Sequence, residues 1–595
     1  MILKRNLLKF IALMFLGVIL LTNYYFIGNS KKVYAEAEIW DGRIATEFAG
    51  GTGTENNPYQ IANGAQLALL AQKSNETYKS SKYYYKLVGD IYLNKIDGWE
   101  KWINSAPANI WTPIPSFDGY FDGNGYTIFG LYCKNYNDVC GLFGYLSGSI
   151  KNVRIEKSYF LGNSSIVYNI SSTGTVDNCY NSGTVYGEYN IGGIASDNYG
   201  TISNSQNTGK VFSDSLQNCI GGITASNRGK IIKCSNIGNI TAKNEDYIDE
   251  APAGMIGGIV GYNSGSIVES YNAGNITSDK LTEAIGGVCG FLSGGSVINS
   301  YNKGNIKTGN NNIYIGGIVG EMYDGYIKQS YNKGAISTGN NNKYIGGVLG
   351  GQDWYYKNSS ISNCYNTASI NTKTKCKNIG GIAGIFENKL YNCYNKGKIK
   401  VNYSEFVGGI VGKTLFGTIY NCSNKGSIEA KSSNDIGGIA GILGVYAVMG
   451  DEVPDIEPKI INCSNIGNIA GDKSAYVGGI VGESYYRSYN SYNAGTVTGY
   501  FCVGGIIGRK TLGANNLPSN CYYLKGSAKV VKPLYKDDNK PNTYGTELIK
   551  SQMKSTTLTK KLNKWVNERK TSVYSLWSSP SSKFNNGYPY LKNLQ

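Results

Sequence analysis

The chain repeats itself, and the length of the repeat limits what it can build. The pattern Ile/Val-Gly-Gly-Ile/Val recurs with its first glycine at Gly192, Gly221, Gly257, Gly286, Gly316, Gly346, Gly380, Gly408, Gly437, Gly478 and Gly504. Gly141-Leu142-Phe143-Gly144 reads as a divergent first copy. Most spacings are 28–30 residues, and longer gaps of 36 and 41 mark insertions. A unit this short cannot bury a hydrophobic face alone, so its copies must stack into a solenoid.

A second block alternates with the glycine pairs and reads NSYNAGNI, NCYNKGKI or a close variant. The asparagine two residues before its glycine position falls at Asn181, Asn207, Asn236, Asn272, Asn302, Asn332, Asn366, Asn395, Asn424, Asn465 and Asn493. Each unit then holds three short β-runs, for example Ile256–Val260, Ser266–Tyr271 and Asn275–Thr277, separated by turn residues. One unit makes one triangular coil, right-handed by the rule for parallel crossovers. About twelve rungs at the ~4.8 Å strand spacing give a length of roughly 60 Å. The glycine pair suits tight turning or close packing, and the glycine after the asparagine suits a positive φ. Asparagines stacked at one corner can bond to each other up the axis, as amide ladders do.

Two residues before that asparagine stands Cys179, Cys234, Cys364, Cys393, Cys422 or Cys463, or else Ser205, Ser270, Ser300, Ser330 or Ser491. Interchange of Cys with Ser indicates a small inward residue, and in-register parallel neighbours fit disulfide geometry badly. The ladder cysteines are therefore expected to be buried free thiols. Cys133 and Cys140 are the better candidates for a bridge.

The composition supports a β protein, with 79 Gly and 50 Tyr against 12 Pro. There is no histidine, which removes Ser-His-Asp and Cys-His nucleophiles, His-ligated zinc and HExxH peptidases. The net charge of +16 is spread over the repeats without a dense Lys/Arg run, so nucleic acid is a poor match. A basic extracellular surface suits anionic cell-wall polymers or acidic glycans. Lys4, Arg5 and Lys9 followed by the apolar run Phe10–Leu21 read as an export signal, with cleavage patterns near Ala35 and Ala37. An uncleaved leader would act as a membrane anchor. The expected organisation is residues 1–37 as signal peptide, 38–135 as N-terminal cap, 136–524 as repeats and 525–595 as C-terminal cap. In the last, 546–554 and 556–569 read as short amphipathic helices.

The order of GTGTENNPYQI from Gly51, a short helix over Asn63–Lys73, DIYLN from Asp90, FDGYFDGNGYTI from Phe117, GLFG from Gly141 and then the glycine-pair repeats resembles the bacterial GLUG-motif proteins. These are secreted or surface β-helix proteins of the pectate-lyase-like superfamily. The resemblance covers almost all of the chain after the leader. It implies an all-β fold, a parallel β-helix with small α/β caps at both ends, and a surface or adhesin-like role.

Such folds also carry polysaccharide lyases and glycoside hydrolases, which need carboxylates facing a cleft. Carboxylates are scarce in the rungs and form no column. Asp118 and Asp122 sit in Asp-Gly contexts that favour turns. Acidic residues gather in two insertions, Glu245, Asp246, Asp249 and Glu250, then Asp451, Glu452, Asp455 and Glu457. Either could take Ca²⁺ through oxygen ligands; no other cofactor is implied. Aromatics recur after each GG-x-x-G: Tyr145, Tyr199, Tyr262, Phe291, Tyr323, Trp354, Tyr355, Tyr356, Phe386, Phe416, Tyr446, Tyr485 and Tyr486. Stacked coils would align them, offering flat apolar faces to sugar rings or a protein partner. Trp354, Tyr355, Tyr356, Tyr323, Tyr485 and Tyr486 are the expected ligand contacts, and no catalytic residue is expected. The expectation is thus a monomeric, secreted or cell-surface binding protein. It presents a solenoid flank to a glycan, cell-wall polymer or host surface protein. A polysaccharide-active enzyme and an envelope spacer are the alternatives.

Overall fold

A computed structural model describes residues 38–76, 83–135, 139–215, 219–243, 252–352, 358–444, 457–511, 517–531, 540–582 and 584–594. The chain from Trp40 onward forms one unit, a parallel β-helix. In a typical coil the chain visits five sheets in turn, through Ser266–Val268, Tyr271–Asn272, Ile276–Ser278, Thr282–Gly286 and Cys289–Leu292. Numbered first to fifth in that order, the sheets hold 15, 16, 14, 11 and 14 strands.

Two expectations need correction. Three runs per coil become five, because two of the runs are each bent in the middle. The first bend is a single residue in the left-handed region, such as Asn299 (φ 49°) between the first and second sheets. The second is the glycine pair between the fourth and fifth. The rung number also exceeds twelve, since strands Tyr59–Ile61, Tyr84–Leu87 and Tyr120–Asp122 already belong to the first sheet. The expected helix is present as Gly64–Glu76, entered through Asn63 Oδ1, which accepts the Gln66 N–H at 3.1 Å. Its Leu67 and Leu70 seal the N-terminal end of the core.

The letters of N-C/S-Y-N divide the labour of one corner. The first asparagine takes the left-handed bend, as Asn178, Asn204, Asn363 and Asn392 do. The Cys or Ser points into the core, where Ser300 Oγ accepts the Ser270 N–H at 3.2 Å and donates to the Ile298 carbonyl at 2.8 Å. Cys393 Sγ takes the same place for the Cys364 N–H at 3.4 Å. All thirteen cysteines, Cys133 and Cys140 included, are free thiols. Burial pushes Cys179 and Cys234 up to about 12.

The last asparagine is the spine. From Asn181 to Asn493 each Nδ2 donates to the Oδ1 of the asparagine one rung on, at 2.8–3.0 Å. The second proton goes to the carbonyl two residues ahead, as in Asn332 to Gly334 at 2.9 Å. Every one of these asparagines is fully buried. The second glycine of each pair faces this ladder across the coil, while a Cβ on the first, as at Gly257, would strike the Val260 carbonyl. A Cβ on Gly258 would lie 2.5 Å from Asn272 Cγ, so the spine leaves room only for hydrogen there. The glycine after the asparagine does not take the positive φ expected of it; Gly304 is absent from that region. It is small because the Gly274 carbonyl of the preceding rung presses on it.

Replacing Asn332 by Ala strands buried groups on both neighbours, at about 1–3 kcal/mol each. Asn332→Ala is expected to lower the urea midpoint and to speed amide exchange in the rungs around residues 302–366. Asn275→Ala, in an exposed asparagine column, should change stability by only about 0.5 kcal/mol. Equal effects of the two would show that the spine carries no special weight.

Candidate functional site

Residues that alternate along a strand point to opposite faces. The tyrosine between the inward Cys/Ser and the inward Asn therefore points out, and the parallel register stacks it on its neighbour. Tyr271, Tyr301, Tyr331, Tyr365 and Tyr394 pair in consecutive rungs of the second sheet. Their rings stack at 4.7–4.9 Å with interplanar angles of 2–5°. All five are half-buried. The column is about 19 Å long at the rung spacing. Lys303, Lys333 and Lys396 run beside it, their Nζ atoms 4.9–5.1 Å from the rings of Tyr301, Tyr331 and Tyr394. Burial, then the neighbouring phenols, raise the pKa of Tyr331 and Tyr365, so each hydroxyl remains a donor.

This geometry sets what the column can do. Each ring covers the faces of the next, so only edges and hydroxyls face solvent. The flank offers a straight row of phenol O–H groups beside a row of ammonium groups, and no flat apolar platform.

The column has defined ends. Toward the N-terminus its place is taken by Ser235 and Gln206, and beyond Tyr394 by Ser423 and Ser464. There the C-terminal segment folds back along the flank. Helix Thr556–Glu568 and the antiparallel pair Trp577–Ser578 with Tyr590–Leu591 share a buried cluster with Ile461, Tyr492 and Tyr522. Asn421 and Asn462, at the corner bend, donate to the Val573 and Ser575 carbonyls at 2.8 Å. The Trp577 indole donates to Asn462 Oδ1 at 2.6 Å. Of the two expected C-terminal helices, the second is present; the first reduces to strand Thr546–Leu548 and one turn, Lys550–Met553.

The aromatics expected as ligand contacts lie elsewhere. Trp354, Tyr355 and Tyr356 fall outside the described residues, as does Tyr446. Tyr323 follows the fifth-sheet strand Val319–Met322 and meets Phe291 edge-on at 4.5 Å. Tyr485 and Tyr486 follow Val481–Ser484, five rungs further along the same sheet. Tyr262, Phe291 and Tyr323 touch in consecutive rungs, whereas Tyr486 packs against the core and Phe386 is buried. The acidic insertions, except Glu457, also lie outside the described residues. Among those described, no cluster of three or more metal-ligating side chains occurs.

Four carboxylates bear on chemistry. Asp122 Oδ1 accepts the Asn124 N–H and the Asn152 amide, both at 2.8 Å, a turn-forming arrangement. Glu387 is buried, which raises it to about 7, and its Oε2 clamps the Leu415 and Phe416 N–H groups at 2.7 and 2.8 Å. Burial, then the charge of neighbouring Glu483, raises Asp435 to about 8; Glu483 itself accepts from Arg509 Nε at 3.2 Å. Both members of this pair are closed off from solvent. Asp435 holds its proton in the folded state up to pH 8, whereas the unfolded chain releases it near pH 4. Its burial therefore costs stability progressively as pH rises through that window. Asp435 sits at φ 55°, in the same column as Asn378 at the same angle, so asparagine fits the site. Asp435→Asn is expected to be more stable than the parent at pH 7–8, with the difference vanishing near pH 4. A thermal melt series across pH measures it.

Residues 341–371 and 406–429 match the family model of the GLUG motif. Both stretches contain a glycine pair and a spine asparagine. These are GLUG repeats. A "Putative Gly-rich membrane protein" of Evansella cellulosilytica is 30% identical over 166 residues, 26% of this chain and 15% of that protein. The "Halomucin" of Haloquadratum walsbyi is 29% identical over 152 residues, 23% of this chain and 2% of that protein. The chain thus spans less than a sixth of either relative. A crystal structure titled a "putative immunoglobulin A1 protease" from Bacteroides ovatus is 23% identical. It covers 45% of this chain and 84% of its own, with a TM-score of 0.37. The β-helical fold of the GLUG repeats rests on their strand pairing.

Proposed function

We propose that this GLUG-repeat chain is a secreted or cell-surface, non-enzymatic binding protein that presents one flank of its β-helix to a glycan. The stacked tyrosine column with its lysine border carries the reading. It is rigid, straight and edge-out, and its hydroxyls recur at the rung spacing. Such a row suits a polymer that repeats hydrogen-bonding groups along its length. The export-type leader and the names of the two relatives, a membrane protein and a halomucin, support placement at the surface.

Replacing Tyr301, Tyr331 and Tyr365 by Phe removes three hydroxyls and keeps the stack. Each lost hydrogen bond is worth about 1 kcal/mol, or roughly five-fold in affinity. A glycan array followed by titration of the best ligand is expected to show binding without turnover, and the triple variant should bind at least ten-fold more weakly with an unchanged melting temperature. Release of reducing or unsaturated sugars by the parent chain would contradict the reading.

A further inference from the structure

A second lysine-bearing surface lies next to the tyrosine column. The chain turns from the second sheet to the third within a few residues of each tyrosine, so four rungs carry both. On the third sheet a groove of about 580 Å³ runs across five rungs, lined by Thr241, Thr277, Lys307, Ser337 and Lys373 among others. One carboxylate, Asp279, lies in the lining. Lys303 and Lys333 stand at the corner between groove and column, and Lys396 continues that corner one rung beyond the groove. These three, with Lys307 and Lys373, are exposed and make no ion pair among the described residues. Some lysines elsewhere on the coil are matched across rungs, as Lys377 is to Glu405 at 2.8 Å and Lys398 to Glu429 at 2.6 Å. The tyrosine column and the groove therefore share a run of unmatched positive charge, edged by hydroxyl groups and parallel to the helix axis.

We infer that the ligand of this flank is a linear acidic polysaccharide, a sugar chain with a carboxylate on each residue, lying parallel to the solenoid axis. The inference rests on the glycan-binding reading and adds charge and direction to it. Ammonium groups meet the carboxylates, and the phenol, threonine and serine hydroxyls meet the sugar hydroxyls. Single-stranded nucleic acid, the other common linear polyanion, binds by stacking its bases on aromatic faces. Here those faces are already filled by neighbouring tyrosines. The face also lacks arginine, the residue suited to bidentate phosphate recognition. The C-terminal segment over Ser423 and Ser464 fixes where the polymer must stop.

The test uses the purified full chain with immobilised polygalacturonate, a neutral β-glucan, polyglutamate and single-stranded DNA. Polygalacturonate is expected to bind, with affinity falling as salt rises from 50 to 500 mM. The variants Lys303→Gln with Lys333→Gln, and Lys307→Gln with Lys373→Gln, should each weaken binding at least ten-fold, while Lys560→Gln on the C-terminal helix leaves it unchanged. Melting temperatures verify that all variants fold. Equal binding of the neutral glucan, unaffected by the lysine variants, would overturn this inference and leave the glycan reading standing. Polyglutamate or DNA binding as tightly as polygalacturonate would overturn it as well, by reducing the site to charge alone. No binding to either polysaccharide would overturn both.

Discussion

The structure depends on one buried interaction, the amide ladder from Asn181 to Asn493. A parallel β-helix has no long-range feature to fix where each coil sits on the last, because backbone pairing alone tolerates slippage. The asparagines remove that freedom. Each is fully buried, donates up the axis and to its own turn, and accepts from the rung below, so a slipped coil would strand polar groups in the core. The second glycine of each pair follows from the ladder, because nothing larger than hydrogen fits opposite it, and the first is pressed by a carbonyl of its own turn. The Cys/Ser column supplements it with a row of small acceptors for backbone N–H groups.

Fixed register converts a sequence repeat into a surface repeat. Between two inward residues there is one outward residue, and where five successive units place tyrosine there, the rings must stack. The stack is a consequence of the spine, and it has a chemical cost for recognition: ring faces are spent on each other. What remains is a row of hydroxyls, bordered by lysines whose neighbours on the third sheet continue the positive charge. Further along the same flank the tyrosines give way to serine, and the chain's own C-terminal segment takes the space. Polar corner asparagines that face solvent elsewhere donate there to backbone carbonyls.

Much of the scaffold was legible because its chemistry leaves few options. A buried asparagine at a constant interval has to bond to its copies, and free exchange of Cys with Ser argues against bridging. Strand number per coil was not legible in the same way, since a one-residue left-handed bend such as Asn299 breaks a strand without any proline or glycine to announce it. The early rungs were hidden because Tyr59–Ile61 and Tyr84–Leu87 lack the repeat's signature and still join its first sheet. The candidate site was missed for a different reason. Aromatics after GG-x-x-G fall at different places from rung to rung: Tyr262 and Phe291 lie on the fifth-sheet strand itself, whereas Tyr323 and Tyr485 follow equivalent strands five rungs apart. The signal lay one block away, in the tyrosine held between two inward positions of N-C/S-Y-N, where strict alternation fixes its direction.

The account joins a spine, an outward column and an axis-parallel polymer, and the length dependence of binding tests that chain of reasoning most directly. Affinity should be measured for acidic oligosaccharides of increasing length, from the disaccharide upward. A ligand lying along the tyrosine column predicts affinity that climbs with each added sugar until the chain covers about 19 Å, and then levels off. Full affinity already reached by a disaccharide would mean a compact pocket, and would contradict the account.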